Sequence, residues 1–326
     1  MLRSMVPLLL LGLMARCGQS APTRQPLVTV AVVTYDRPLF LKQALLYISR
    51  QDYGNIELLV LDDSGNAAVA AHAQHITEAA GGTFYSLPFR HSIGDKRNII
   101  AGYATGEVIV HWDDDDYFGP TRLSNQVAPI LAGAQQAGEG KRTSLTLLKH
   151  GYYWVLAKQA MYKIPFDSAG AHLGSLAYHR RVYDAGVRYS NNSLAEDYKF
   201  AETAVHAGFV AQVLRNDHGD FVYVRHDNTW KFRLENYPKF VKVPAPSWFK
   251  QDIAWYELYQ SVLFSPGVTQ LAWLAATQQQ QHPLTSQLAA GHQWYAHIAA
   301  ESAAEARREE EEGEKGAKKR PPSPNR

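Results

Sequence analysis

Cysteine is almost missing from this chain: among 326 residues the single one is Cys17. A disulfide framework, a cysteine zinc site and a catalytic thiol are therefore excluded from the rest of the sequence. Net charge is nearly missing too. The 33 Lys and Arg stand against 31 Asp and Glu, a balance of +2, so no basic field marks a nucleic-acid partner. The apolar run near the start lies between Arg3 and Arg16, which leaves 12 residues at most, where a membrane-spanning helix needs about 20. No internal repeat occurs. What remains is an ordinary globular composition, 46% hydrophobic and 20% charged, in a length that allows one large or two ordinary domains, each able to bury a core.

Arg3, the run Val6 to Met14 and the small residues Ser20 and Ala21 resemble a secretory signal peptide or short anchor over 1–25. The expectation is entry to the secretory pathway, with membrane association left open. A presequence or a misassigned start, and cytoplasmic residence, are the alternatives. At the other end, residues 301–326 carry seven acidic and seven basic side chains, with Glu309 to Glu312 in a block and Pro321, Pro322 and Pro324 near the end. So little apolar surface does not offset ordering entropy, which predicts a charged, disordered tail.

Between the ends, strand and helix signals alternate. Leu27 to Thr34 is a continuous β-branched run, apolar on both faces as in a parallel sheet covered by helices. Asp36 is expected to cap the helix that follows, with Pro38 in its first turn. Ile56 to Leu61, Thr83 to Leu87 and Val108 to Trp112 repeat the strand signal, with a helix over Gly94 to Ala104. The pattern predicts βαβ units and a mostly parallel, Rossmann-like α/β sheet flanked by helices over 26–245, followed by a helical extension over 246–300. In such sheets ligands bind outside the carboxyl ends of the strands. Three strands here run into acids: Asp36, Asp62 with Asp63, and Asp113 to Asp116. Carboxylates gathered on one edge repel one another unless a cation or donor groups sit among them, which points to a metal and an anionic ligand.

Five segments in order, Val30-Ala-Val-Val-Thr-Tyr-Asp-Arg-Pro38, Glu57-Leu-Leu-Val-Leu-Asp-Asp-Ser64, Gly94-Asp-Lys-Arg-Asn98, Gly106-Glu-Val-Ile-Val-His-Trp-Asp-Asp-Asp-Asp116 and Glu196-Asp197, resemble the motif series of family 2 glycosyltransferases with a GT-A fold. The resemblance runs over about Pro26 to Asn228. It implies a nucleotide-sugar donor held by Thr34, Asp36, Arg37 and Asp62, with Lys96 and Arg97 near the diphosphate. It also implies an Asp-x-Asp pair, Asp113 toward ribose or metal and Asp115 as a ligand of Mn²⁺ or Mg²⁺, supported by Asp116. Asp114 stands where the family often has a small residue, so the register of the pair is open by one residue. The acceptor, a glycan, lipid or protein, is not specified.

Asn191 to Tyr198 is expected to open a helix running to Gly208, with Ser193 and Glu196 at capping-box spacing. Asn191-Asn192-Ser193 is also a glycosylation acceptor sequence. Of the pair Glu196 and Asp197, the resemblance implies that Asp197 is the general base. Tyr223-Val-Arg-His226 reads as a strand ending and resembles the Arg-His step of β-1,4-galactosyltransferases, which makes His226 a third metal ligand and His218 a lesser candidate. Tyr152, Tyr153, Trp154, His172, Tyr178 and Trp230 supply flat surfaces that serve the core or stack on a sugar. Two other readings stand beside this one: a silent nucleotide- or sugar-binding protein of the same fold, and a phosphatase with an aspartate nucleophile at Asp113-x-Asp115.

Overall fold

The protein is seen in a computed structural model that describes residues 25–135, 142–149, 151–164, 170–217, 219–226, 240–259 and 262–278. The expected leader, the tail over 301–326, His218 and Trp230 lie outside these residues. In chain order the strands are β1 (Val28–Thr34), β2 (Ile56–Asp62), β3 (Thr83–Ser86), β4 (Val108–Asp113), β5 (Tyr117–Phe118), β6 (Thr143–Lys149), β7 (Tyr152–Val155), β8 (Ala160–Lys163), β9 (Ala171–His179), β10 (Val210–Leu214), β11 (Phe221–Arg225) and β12 (Val241–Val243). The helices are α1 (Pro38–Ser49), α2 (Ala67–Ala79), α3 (Ile93–Tyr103), α4 (Arg122–Gln135), α5 (Arg181–Asp184), α6 (Glu196–His206), α7 (Ser247–Tyr259) and α8 (Gly267–Gln278). No helix among the described residues is long and apolar enough to cross a membrane.

The main sheet has the order β10-β6-β9-β4-β1-β2-β3. Its two-faced apolar strands explain the continuous runs: Val28, Val30 and Val32 of β1 enter one core cluster with α1 residues Leu39, Phe40 and Leu41. Ala31 on the opposite face joins a second cluster with Ile100 of α3 and Phe200 of α6, as alternation across a pleated strand requires. Parallel pairing sets Thr34 beside Asp62 and Val33 beside Asp113, so the carboxyl ends of β1, β2 and β4 share one edge. The fold is α/β with helices packed on both faces of a mostly parallel sheet, as expected: of its seven strands only β9 runs antiparallel to its neighbours, β4 and β6. A second sheet, β12-β8-β7-β11-β5, was not foreseen. Three of the flat side chains, Tyr152, Tyr153 and Trp154, are buried in it, while His172 and Tyr178 lie on β9 of the main sheet.

Asp36 does not cap α1. Arg37 occupies the cap position without a side-chain bond, and Asp36, at φ 51° in the left-handed region, turns its carboxylate to accept from the Gly267 amide at 3.0 Å. The α8 start, carrying orphan N–H groups, outcompetes α1 for the acid. Gln270 of α8 completes the joint: its Oε1 accepts from Leu39 N, and its Nε2 donates to the carbonyls of Leu263 and Ser265. The described part of the helical extension is thus docked on the loop that leads out of β1. Gln270→Ala would leave buried backbone groups unsatisfied, at about 1–3 kcal/mol. A melting temperature several degrees below wild type is the expected outcome, and an unchanged one would show that this joint carries no stability.

Candidate functional site

At the shared edge lies a cleft of about 710 Å³, within the size of a small-ligand site. Its lining includes Thr34, Arg37, Lys96, Arg97, Asp113 to Asp116, Glu196 and Asp197. The structure thus brings together most of the residues singled out in sequence. Asp36 and Asp62 are not among the lining residues. Asp62 is 1% exposed and accepts from Ser64 Oγ at 2.5 Å, and burial pushes its carboxyl upward.

The acid run divides into two inward and two cleft-facing members. Asp114 accepts from Thr34 Oγ1 at 2.7 Å and from the Arg37 guanidinium at 3.1 Å. Asp116 accepts from Val224 N at 2.8 Å, which locks the run to the second sheet. Both are nearly buried, and burial raises both carboxyls. Asp113 and Asp115 keep 24% and 16% of their side chains exposed, so the Asp-x-Asp register with 113 and 115 facing the cleft fits this alternation. Burial, then the charges of Asp115, Asp197 and Glu196, push the Asp113 carboxyl up to about 7 against the pull of Arg97. Burial also opposes the charge of Asp115, but Arg37 at 2.8 Å and His226 at 2.9 Å hold that carboxyl well below the usual range.

The cations are engaged with protein groups. Lys96 is 2% exposed and its Nζ donates to Asp63 at 2.7 Å and to the Thr34 carbonyl at 2.9 Å. Arg97 meets His111 at 2.7 Å, Asp113 at 2.8 Å and Glu196 at 3.5 Å. Arg90, which sequence reasoning missed, reaches the cleft half-exposed, with its guanidinium on Asp63 and 3.4 Å from the Tyr35 ring centroid. Its position just past β3, on the same edge as the acids, was the available signal.

The capping box is overturned. Helix α6 starts at Glu196 after Ala195 in the left-handed region at φ 58°; Ser193 Oγ instead accepts from Ile93 N, and Glu196 faces Arg97. A buried guanidinium offers the carboxylate more than a backbone amide does. Asp197, in the first turn, lines the cleft and accepts from Tyr198 N at 2.7 Å. Asn191 is exposed.

Of the three expected metal ligands, Asp115 and His226 are in contact, while Asp113 turns to Arg97. No three His, Asp or Glu side chains are gathered to hold a metal among the described residues. Their chemistry still fits a divalent cation: two carboxylates suit Mn²⁺ or Mg²⁺, and an imidazole favours Mn²⁺ of the two.

Gly174 of β9 leaves room for Asp113, since a Cβ there would come within 2.7 Å of Asp113 Oδ2. Gly174→Ala displaces that carboxylate, a flexible group, and leaves the backbone alone. The expected outcome is activity down about tenfold or more at a nearly unchanged melting temperature; full activity would remove Asp113 from the site.

Residues 29–185 match the family model for glycosyl transferase family 2. The chain is 28% identical over 117 residues to GalNAc(5)-diNAcBac-PP-undecaprenol beta-1,3-glucosyltransferase of Campylobacter jejuni, covering 35% of this chain and 36% of that one. It is 27% identical over 107 residues to an uncharacterized glycosyltransferase of Haemophilus influenzae, covering 32% and 43%. The matches thus span less than half of either relative. Among solved structures, the mannosyltransferase PcManGT of Pyrobaculum calidifontis, in complex with GDP-Man and Mn²⁺, superposes with a TM-score of 0.46 at 20% identity over 86% of this chain and 85% of that one.

Proposed function

We propose that this protein is a metal-dependent, inverting glycosyltransferase that moves a sugar from a nucleotide-sugar donor, with a UDP-sugar as first candidate, to a hydroxyl of a glycan, lipid or protein. One observation carries the reading: the acid run at the end of β4 and the acidic start of α6 line the same cleft. The match of residues 29–185 to glycosyl transferase family 2 supports the same chemistry.

In the transfer, the acceptor oxygen bonds to the anomeric carbon as the bond to the diphosphate breaks, through an oxocarbenium-like state. Asp197 takes the acceptor proton. A single base on the face opposite the leaving group inverts the anomeric centre. Asp113, Asp115 and His226 would hold the divalent cation, which when bound neutralises charge on the departing diphosphate. Arg37 holds Asp115 in place, and Arg97 ties Asp113 to the helix that carries the base.

Product analysis tests the reading. Release of a nucleoside diphosphate, together with a new glycoside whose anomeric proton coupling shows inverted configuration, is the expected result. Retained configuration contradicts the single-base scheme. Nucleotide binding without turnover is the result for a silent binder, and inorganic phosphate without sugar transfer that for an aspartate phosphatase.

A further inference from the structure

We infer that His111 is a positioning residue for this reaction: its ring holds the Arg97 guanidinium in the orientation that serves Asp113 and Glu196 together. The inference rests on the transferase reading of the cleft. His111 lies on β4 two residues before Asp113 and is 3% exposed; it is not among the residues that line the cleft. The plain expectation for such a residue is a satisfied core histidine.

Its partners suggest more. Arg97 Nη1 stands 2.7 Å from His111 Nδ1. A guanidinium can only donate, so Nδ1 accepts, the proton sits on Nε2, and Nε2 donates to the Tyr189 hydroxyl oxygen that it touches. Three edges of the one guanidinium thereby meet three different groups: Nη1 meets His111, Nη2 meets Asp113 at 2.8 Å, and Nε faces Glu196 at 3.5 Å. A planar fork so used cannot turn without losing at least one partner.

The far end of the link returns to the same helix. The Tyr189 ring stacks on Phe200 of α6, with centroids 4.1 Å apart and planes at 11°. Contacts therefore run from Phe200 through Tyr189, His111 and Arg97 back to Glu196, a closed path that begins and ends on the helix bearing Asp197. The backbone of His111 is fixed as well, because Arg122 donates to its carbonyl at 2.6 Å. The path couples the acid run of β4 to the base-bearing turn of α6, and a shift of about 1 Å at either is enough to slow transfer by roughly a hundredfold.

The test compares His111→Leu, which removes the acceptor from Arg97, with His111→Asn, which places an oxygen near the Nδ1 position, each alone and combined with Arg97→Lys. Melting temperature, donor affinity by calorimetry, and kcat are read for all. His111→Leu is expected to lose about tenfold or more in kcat with donor affinity held within about twofold, and His111→Asn to recover most of that rate although both variants lose the Tyr189 bond. Alongside Arg97→Lys, His111→Leu should cost less than about twofold further, since both act through one guanidinium. If His111→Leu does not fold, Tyr189→Phe reads the link from its other end, lowering kcat in the wild-type background and not alongside Arg97→Lys. Equal losses in the leucine and asparagine variants, or losses that simply add to that of Arg97→Lys, overturn the inference and leave the transferase reading standing. A wild-type protein that releases no nucleotide from any donor overturns both.

Discussion

Asp115→Asn is expected to abolish transfer and leave the fold intact. The asparagine keeps an oxygen to accept from Arg37, which sits 2.8 Å away in the wild type, so the local packing survives. What goes is one full negative charge among the cleft-facing acids. A hard divalent cation held by one or two carboxylates depends strongly on each. The charge growing on the leaving diphosphate then lacks its counter-ion, and a loss of roughly a hundredfold or more in kcat follows from the size of comparable electrostatic deletions. Calorimetric titration with Mn²⁺ should show the same variant binding the ion much more weakly. Wild-type rate in the variant would remove Asp115 from the cation site.

Asp197→Asn should lower turnover by roughly a hundredfold or more while donor affinity stays at the wild-type value. The variant alters neither the acid run nor the loop from Thr34 to Arg37. Glu196→Gln offers the contrast. Its carboxylate faces Arg97 at 3.5 Å, so losing the charge loosens a positioning contact and costs less rate than losing the base. Turnover set beside nucleotide affinity for both variants separates the roles. Should Asp197→Asn lose affinity in step with rate, the residue binds donor; should Glu196→Gln be the slower of the two, the base is Glu196.

The layout of the site was legible because it depends on strand ends. A strand apolar on both faces and followed at once by acids announces a buried parallel strand with carboxylates at its carboxyl edge, and Thr34, Asp62 and Asp113 do end neighbouring strands in register. The local rules failed where a distant group made the better partner. Asp36 looked like a cap for α1, but its oxygen answers to Gly267, 231 residues away. Ser193 and Glu196 have capping-box spacing, yet Arg97 and Ile93 take them in different directions. The second sheet was not visible because its strands are short, two residues for β5 and three for β12, and periodicity needs a longer window. His111 was hidden among 13 histidines, since nothing in its flanking residues distinguishes a ring that orients an arginine from one that fills a core.

The central claim, sugar transfer assisted by a cation at the acid run, is tested most directly by nucleoside diphosphate release from a panel of UDP- and GDP-sugars, each measured with Mn²⁺ and again in excess chelator. The account predicts release from at least one donor in Mn²⁺ and its loss in chelator. Undiminished release in chelator, or none from any donor with Mn²⁺ present, would contradict it.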